Sequence, residues 1–259
     1  LHGAVAGAIY DMVDLGKEPR AALAALSAAL LVVAFWAAAA WWLGIPTSES
    51  HGLIAGLSGG AVALGGGVSA IDFSIWGKVL LGMVLSVVVG FLGGFITTRS
   101  LGGAAGKKGG PVTGSGRRGN DQVYRKAQWG GAAVMAFAHG AQDGQKFIGV
   151  LLLGLSLSTA GAKGEFHITS TGSIPFWTMI FCALFIALGT AMGGRRIIQK
   201  VGMDMVSLDL KSGLAADLGA GLTLLFLTLL GYPVSTTHAK VSAIMGAGRA
   251  GGRRGVDKR

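Results

Sequence analysis

The chain has 259 residues, of which 51% are hydrophobic, 13% are charged and 46 are glycine, and its net charge is +10. A soluble domain spends about a quarter of its residues on charge, so half that share cannot cover a water-facing surface, while the abundance of apolar residues excludes disorder for most of the chain. With a mean hydropathy of +0.60, what remains is an integral membrane protein, and membrane helices tolerate glycine better than soluble ones do.

The chain opens at Leu1 rather than Met, in a small-residue segment with no cleavable signal peptide, which reads as a fragment lacking its natural N-terminus. Crossing about 30 Å of hydrocarbon takes about 20 apolar residues. Segment 21–43 meets that length. Segment 52–71 is uncharged but interrupted by Gly59–Gly60 and Gly65–Gly66–Gly67, and 79–98 is a further uncharged span. The stretch 99–128 is Gly-, Lys-, Arg- and Ser-rich without an apolar period, and reads as a flexible cytoplasmic loop joining two halves. Segment 127–162 is apolar except for Asp143 and Lys146. Within the uncharged 166–194 a helix is predicted to start near Ile174 and Pro175, because 169–173 reads as a loop. A shorter basic loop covers 195–212, an apolar run at 218–239 contains Gly231-Tyr232-Pro233, and 249–259 is a basic tail.

Most of the 22 lysines and arginines lie in 99–126, 195–211 and 249–259. Basic loops beside apolar spans follow the positive-inside rule, which puts these segments on the cytoplasmic face and removes the case for a nucleic-acid partner. Cys182 is the single cysteine, so no intrachain disulfide or cysteine-based metal site can form.

Gly44-Ile45-Pro46-Thr47-Ser48-Glu49-Ser50-His51 and Gly231-Tyr232-Pro233-Val234-Ser235-Thr236-Thr237-His238 share the pattern G-x-P-x-S-x-[S/T]-H. Each follows a long apolar run and precedes a small-residue stretch. Glycine permits a chain reversal, and proline suits the first turn of a new helix, where its missing N–H would be unpaired anyway. The free N–H groups and hydroxyls at such a helix start bind anions. Irregular backbone at membrane depth survives only when buried or lining a cavity, and paired broken helices mark transporter sites; a lone copy would read as a proline kink. The basic flanks make hairpin 213–248 open to the cytoplasm, whereas hairpin 21–71 must open outward for span 79–98 to reach the basic loop. The expected fold is an all-α membrane protein: an inverted-repeat secondary transporter with broken helices and two re-entrant helical hairpins, working by alternating access. Its parts are a first half at 1–98, the basic loop at 99–128, a second half at 129–248 and the tail.

Between the two motifs lies Ala138-His139-Gly140-Ala141-Gln142-Asp143-Gly144-Gln145-Lys146. An ionisable residue at membrane depth costs about 2.5–3.5 kcal/mol on insertion scales, which makes Asp143 a candidate functional group. Gly140 and Gly144 would permit unwinding and free carbonyls for a cation beside Asp143. The plainer alternative is an i,i+3 Asp143–Lys146 pair that neutralises itself. His139 stands four residues before Asp143 as a two-ligand metal pair or a packed histidine, and two ligands make no metal site.

The doubled P-x-S-x-[S/T]-H motif with the A-H-G-A-x-D-G-Q-K segment between them resembles the inorganic phosphate transporter (PiT) family over nearly the whole chain. The resemblance implies symport of phosphate with sodium or protons through two inverted halves, each contributing a G-x-N-D signature and a Pro-Ser hairpin. It implies that Ser48, Ser50, Ser235, Thr236 and Thr237 bind phosphate or the coupling ion, and that Asp143, with Gln142 and Lys146, supplies the coupling-ion site or its charge. Pro46, His51, Pro233 and His238 would shape the hairpins. No catalytic residue, metal site or cofactor beyond the coupling cation is implied. The partners are phosphate, the bilayer of the cell's inner (plasma) membrane and, as an open option, a second copy of the chain. Gln142 stands where the family usually has Asn, and Lys146 where it often has Asn; the ammonium there would replace a cation or pair with phosphate, and it favours protons over sodium. No G-x-N-D occurs in the first half, so it is expected upstream of Leu1, and family helices following the second hairpin are expected beyond Arg259. Competing readings are transport of another oxyanion such as sulfate, a membrane metalloenzyme built on His51, His139, Asp143 and His238, and a membrane scaffold.

Overall fold

The computed structural model describes residues 3–16, 18–106, 114–159, 174–192, 194, 197, 199 and 210–251. Apart from one isolated bridge between Val13 and Ile71, the regular structure among these residues is helical. A short α1 (Ala4–Tyr10) precedes α2 (Pro19–Leu43), which starts on Pro19 in its first turn, and α3 (Glu49–Gly65), capped by Ser48. A 3₁₀ turn at Val68–Ala70 leads into α4 (Phe73–Gly106). Asp72 begins α4 by accepting the Ser74 hydroxyl at 2.7 Å and the Ser74 and Ile75 N–H groups at 2.8 and 3.3 Å, bonds that hold its carboxyl below the usual carboxylate range. Then come α5 (Gly114–Thr159), α6 (Phe176–Ala191), α7 (Leu210–Leu229) and α8 (Thr236–Ala250).

Three helical stretches, Pro19–Leu43, Phe73–Leu101 and Leu210–Leu229, are long and apolar enough to cross a membrane. Their surroundings differ. Of the most apolar stretch of α7, 67% is buried, against 17% for α2, so α7 is central and α2 peripheral. On α2, Leu31, Phe35 and Trp42 point outward, as do Val84, Val88 and Ile96 on α4 and Leu184 and Leu188 on α6. A continuous apolar outer surface of this kind suits lipid rather than water.

Close helix approach needs small residues, because lipid offers helices no hydrophobic reason to associate. Along α4, Gly90 and Gly94 meet the Ala239 and Ala243 carbonyls of α8, while Gly93 meets Gly219 of α7. The contact is mutual, since Gly246 of α8 lies against the Phe91 carbonyl of α4. One apolar core joins α1, α2, α3 and α5 through Ile9, Leu26, Leu53, Leu57 and Val150. A second lies beneath the α7–α8 turn, through Ala138, Leu224, Leu227, Val234 and Ala239.

Several expectations are corrected. The segment 99–128 is not a loop throughout, because α4 continues to Gly106 and α5 begins at Gly114, leaving only 107–113, which lie outside the described residues. A helix already anchored in a packed bundle propagates one hydrogen bond per residue and needs no apolar period to continue. The helix does not unwind at Gly140 and Gly144 either, since α5 runs unbroken through both. Neither proline sits in a first helical turn, for α3 and α8 start three residues after Pro46 and Pro233, at serine caps. The expected start near Ile174 and Pro175 agrees with α6, whose N-cap is Pro175. The loop at 169–173, most of the basic loop at 195–212 and the tail beyond Gly251 fall outside the described residues.

Candidate functional site

The two repeated motifs adopt the same local structure. Gly44 ends α2 at φ 67°, and Gly231 follows α7 at φ 75°, both in the left-handed region that glycine enters without strain. The Gly44 N–H donates to the Trp41 carbonyl at 3.1 Å and Ile45 N–H to Ala40 at 2.9 Å. Their counterparts, Gly231 to Thr228 and Tyr232 to Leu227, are both 3.0 Å. This pair of bonds with a glycine and a following apolar residue terminates a helix by satisfying its last carbonyls. After the proline, Ser48 (φ −98°) and Ser235 (φ −85°) are extended N-caps. Their hydroxyls accept the His51 N–H at 3.3 Å and the His238 N–H at 3.2 Å.

The two copies meet. Ser48 Oγ and Ser235 Oγ are 2.9 Å apart, which brings the N-termini of α3 and α8 face to face. The Ser50 hydroxyl donates to the Val234 carbonyl at 3.2 Å, and its repeat counterpart Thr237 donates to the Thr47 carbonyl, also at 3.2 Å. The His51 and His238 rings are tilted against each other with centroids 4.7 Å apart. The Nδ1 atoms of both are buried without a hydrogen-bond partner.

Helix α5 lays its polar segment against this junction. Lys146 Nζ donates to Asp143 Oδ1 at 2.7 Å, to Ser50 Oγ at 2.6 Å and to the Val234 carbonyl at 2.6 Å. The second Asp143 oxygen accepts the Thr236 hydroxyl at 3.2 Å and pairs with His139 Nε2 at 3.1 Å. The i,i+3 ion pair expected between Asp143 and Lys146 is therefore present, but it is part of a wider network tying α5 to both motifs. Gln142 serves a different partner: its amide donates to the Tyr232 carbonyl at 3.1 Å and its oxygen accepts the Thr228 hydroxyl, which clamps the α7–α8 turn.

Every candidate named from the sequence thus converges on one junction, with Pro46 and Pro233 in the turns that form it. His51, His139, Asp143 and His238 do not make a metal centre, for among the described residues no group of three or more His, Cys, Asp or Glu side chains is placed to hold a metal ion. Beside the junction, α2, α5 and α6 line an open cavity of about 750 Å³ with mostly apolar walls, and Glu49, His139 and Asp143 are among its lining residues. Glu49 was not singled out in sequence, although it begins α3, where its charge favours the helix dipole. A second polar cluster also went unread. Asp217 of α7 bonds Lys240 of α8 and the Gln128 amide of α5, joining three helices away from the motifs.

The Phosphate transporter family model matches residues 1–259 of the chain. The chain belongs to that family. Its relatives include probable low-affinity inorganic phosphate transporters of Mycobacterium tuberculosis (strain ATCC 25618 / H37Rv), 32% identical over 82% of this chain and 48% of the relative, and of Bacillus subtilis (strain 168), 32% identical over 89% of this chain and 65% of the relative. The chain therefore spans about half the length of the mycobacterial protein and just under two thirds of the Bacillus one. Its fold is similar to that of a solved structure titled the sodium-dependent phosphate transporter, with a TM-score of 0.76 and 21% identity over 99% of this chain and 79% of the other. The family and these relatives are transporters, not enzymes, and the apolar helices make this family member a multi-pass protein of the plasma membrane.

Proposed function

We propose that the protein is a secondary active transporter of inorganic phosphate, driven by symport with H⁺ or Na⁺, in which the junction of the two motifs is the substrate site. The observation that carries this reading is the 2.9 Å contact between the N-caps of α3 and α8. Two helix N-termini each bear a partial positive charge, so bringing them together is unfavourable until an anion lies between them. Ser48 and Ser235 offer hydroxyls at that point, with Ser50, Thr236 and Thr237 in the first turns that follow. In this arrangement those hydroxyls bond one another, backbone carbonyls and Asp143; a phosphate entering the junction exchanges these bonds for bonds to its own oxygens.

The reciprocal bonds support an inverted repeat. When Ser50 reaches Val234 while its counterpart Thr237 reaches Thr47, and like meets like at Ser48–Ser235 and His51–His238, the two motifs are related as the two sides of an isologous contact. A local two-fold relation at the tips is what two re-entrant hairpins entering from opposite faces would produce, and alternating access follows from it. The basic segments 99–126 and 195–211 then lie on the cytoplasmic face.

The test is phosphate uptake by the intact protein in proteoliposomes. A hydrogen bond to a charged group contributes about 1.5–3 kcal/mol, so Ser48→Ala and Ser235→Ala are each expected to lower uptake by about 10- to 100-fold. Sulfate at equal concentration is expected not to compete. Unchanged uptake in both variants would remove the substrate site from this junction.

A further inference from the structure

We propose that Glu49 determines which oxyanion the site admits: its carboxylate accepts a hydrogen bond from the O–H of phosphate and rejects anions, such as sulfate, that carry no proton. The inference rests on the transport reading above and specifies the selectivity of that same site. It begins from a difference between the two motifs. Glu49 and Thr236 directly follow the caps Ser48 and Ser235, so they are counterparts in the repeat. Thr236 turns its hydroxyl to Asp143 at 3.2 Å. Glu49 comes to the same region from the other motif, lining the cavity together with Asp143 and His139. A hydroxyl both donates and accepts, whereas an ionised carboxylate only accepts. Beside an anion site such a group repels every fully deprotonated oxyanion and is favourable only toward an anion that donates. Phosphate keeps an O–H at neutral pH, and sulfate has none.

The other polar groups of the junction are already engaged. Asp143 accepts from Lys146 through one oxygen and from Thr236 through the other, which also meets His139. Lys146 donates to Asp143, Ser50 and Val234, and Gln142 is held by Tyr232 and Thr228. Glu49 is different. Among the described residues it has no hydrogen bond or ion pair, only the longer-range fields of Asp143, His139 and Lys146, and it is exposed to the cavity. It is therefore an open acceptor standing between Ser48 and Ser50, two hydroxyls already placed in the substrate site. Selection by such a group is strong: a site built to hydrogen-bond a substrate O–H rejects the analogue lacking it by about 10⁴–10⁵-fold, because its own polar group is left unpaired.

The intact protein in proteoliposomes is assayed for uptake of labelled phosphate against unlabelled sulfate, monofluorophosphate and arsenate. Monofluorophosphate has the shape of phosphate with fluorine in place of the O–H, and arsenate keeps the O–H. Wild type is expected to be inhibited by arsenate alone. Glu49→Gln, whose amide donates to bare oxygens, is expected to take up phosphate at lower affinity and to be inhibited by all three anions. Its preference for phosphate over sulfate is expected to fall by at least about 100-fold. Glu49→Thr, which copies Thr236, should behave likewise and serves if the glutamine variant does not fold. In parallel the Tm of the purified protein is measured with each anion, since a ligand of the folded state raises it. Phosphate and arsenate are expected to raise the Tm of wild type, and sulfate that of the two variants as well. If both variants reject sulfate and monofluorophosphate as wild type does, the proposal is overturned and Glu49 serves only the dipole of α3. A wild type inhibited by sulfate as strongly as by arsenate overturns it too. If wild type takes up no phosphate while its Tm still distinguishes phosphate from sulfate, the transport reading fails and the Tm of the variants decides the role of Glu49. A Tm indifferent to every anion, with no uptake, removes both.

Discussion

Asp143→Asn is expected to abolish most phosphate uptake and to destabilise the protein, whereas Asp143→Asn with Lys146→Met restores stability without restoring transport. The single change removes the negative charge and leaves the buried Lys146 ammonium among neutral oxygens alone, those of Ser50, Val234 and the asparagine amide. Breaking a buried pair by removing one member costs about 3–5 kcal/mol because the other charge remains uncompensated. That is a large share of a typical stability of about 5–15 kcal/mol. Replacing both members by groups of similar volume is often neutral, and methionine follows the path of the lysine stem without its charge. The Val234 carbonyl stays satisfied in the double variant, since Ser50 also donates to it. Transport is another matter, because the double variant no longer has the charges that hold α5 to both motifs. A fall in uptake of about 30-fold or more is expected for both variants, from the about 2–5 kcal/mol carried by a buried charge contact. Thermal unfolding of the purified protein and uptake in proteoliposomes separate the two effects. If the double variant transports as well as wild type, the pair is a packing device and Asp143 has no part in transport.

The motifs were legible because their residue types dictate backbone geometry. Gly44 and Gly231 mark left-handed helix ends, and Ser48 and Ser235 mark caps, so the sequence pattern translates directly into the two matching turns. That the copies touch each other is a structural finding, since nothing in their repetition fixes the distance between them. The partners of Lys146 were not legible, because the Val234 carbonyl it bonds is 88 positions away and carries no side-chain signal. The Asp217–Lys240 contact was lost for a different reason: taking uncharged runs as spans put the limits at 218 and 239, one residue inside each member of the pair. Both lie within helices and face one another, so charges that compensate at depth had been read as the ends of an apolar segment. Gln142 shows the limit of reading a role from residue type, for its carboxamide suits a cation or a phosphate, yet here it holds Tyr232 and Thr228.

The glycines of α4 and α8 give the second large effect. An added methyl at Gly94 would run into the Ala243 carbonyl, and one at Gly246 into the Phe91 carbonyl; in both cases the obstacle is the backbone of the other helix, which cannot turn aside as a side chain can. Accommodating either methyl requires α4 and α8 to move apart along their length, and α8 carries Ser235, Thr236 and His238 at its start. Overpacking a core costs about 1–3 kcal/mol, and a separation of backbones belongs at or above the top of that range. Helix propensity acts in the opposite direction, since alanine is favoured over glycine by about 0.8–1 kcal/mol within a helix. Gly94→Ala and Gly246→Ala are each expected to lower Tm by about 4–8 °C, as the remaining about 2 kcal/mol would do in a chain of this size. Gly77 and Gly130 supply the contrast: both are helical, and nothing lies within 4 Å of where their methyl would stand. Gly77→Ala and Gly130→Ala are expected to leave Tm unchanged or raise it. If all four variants raised Tm, propensity would govern these helices. Losses confined to Gly94 and Gly246 show that the glycines of this chain act by letting two backbones touch, which sets where α8 presents its half of the site.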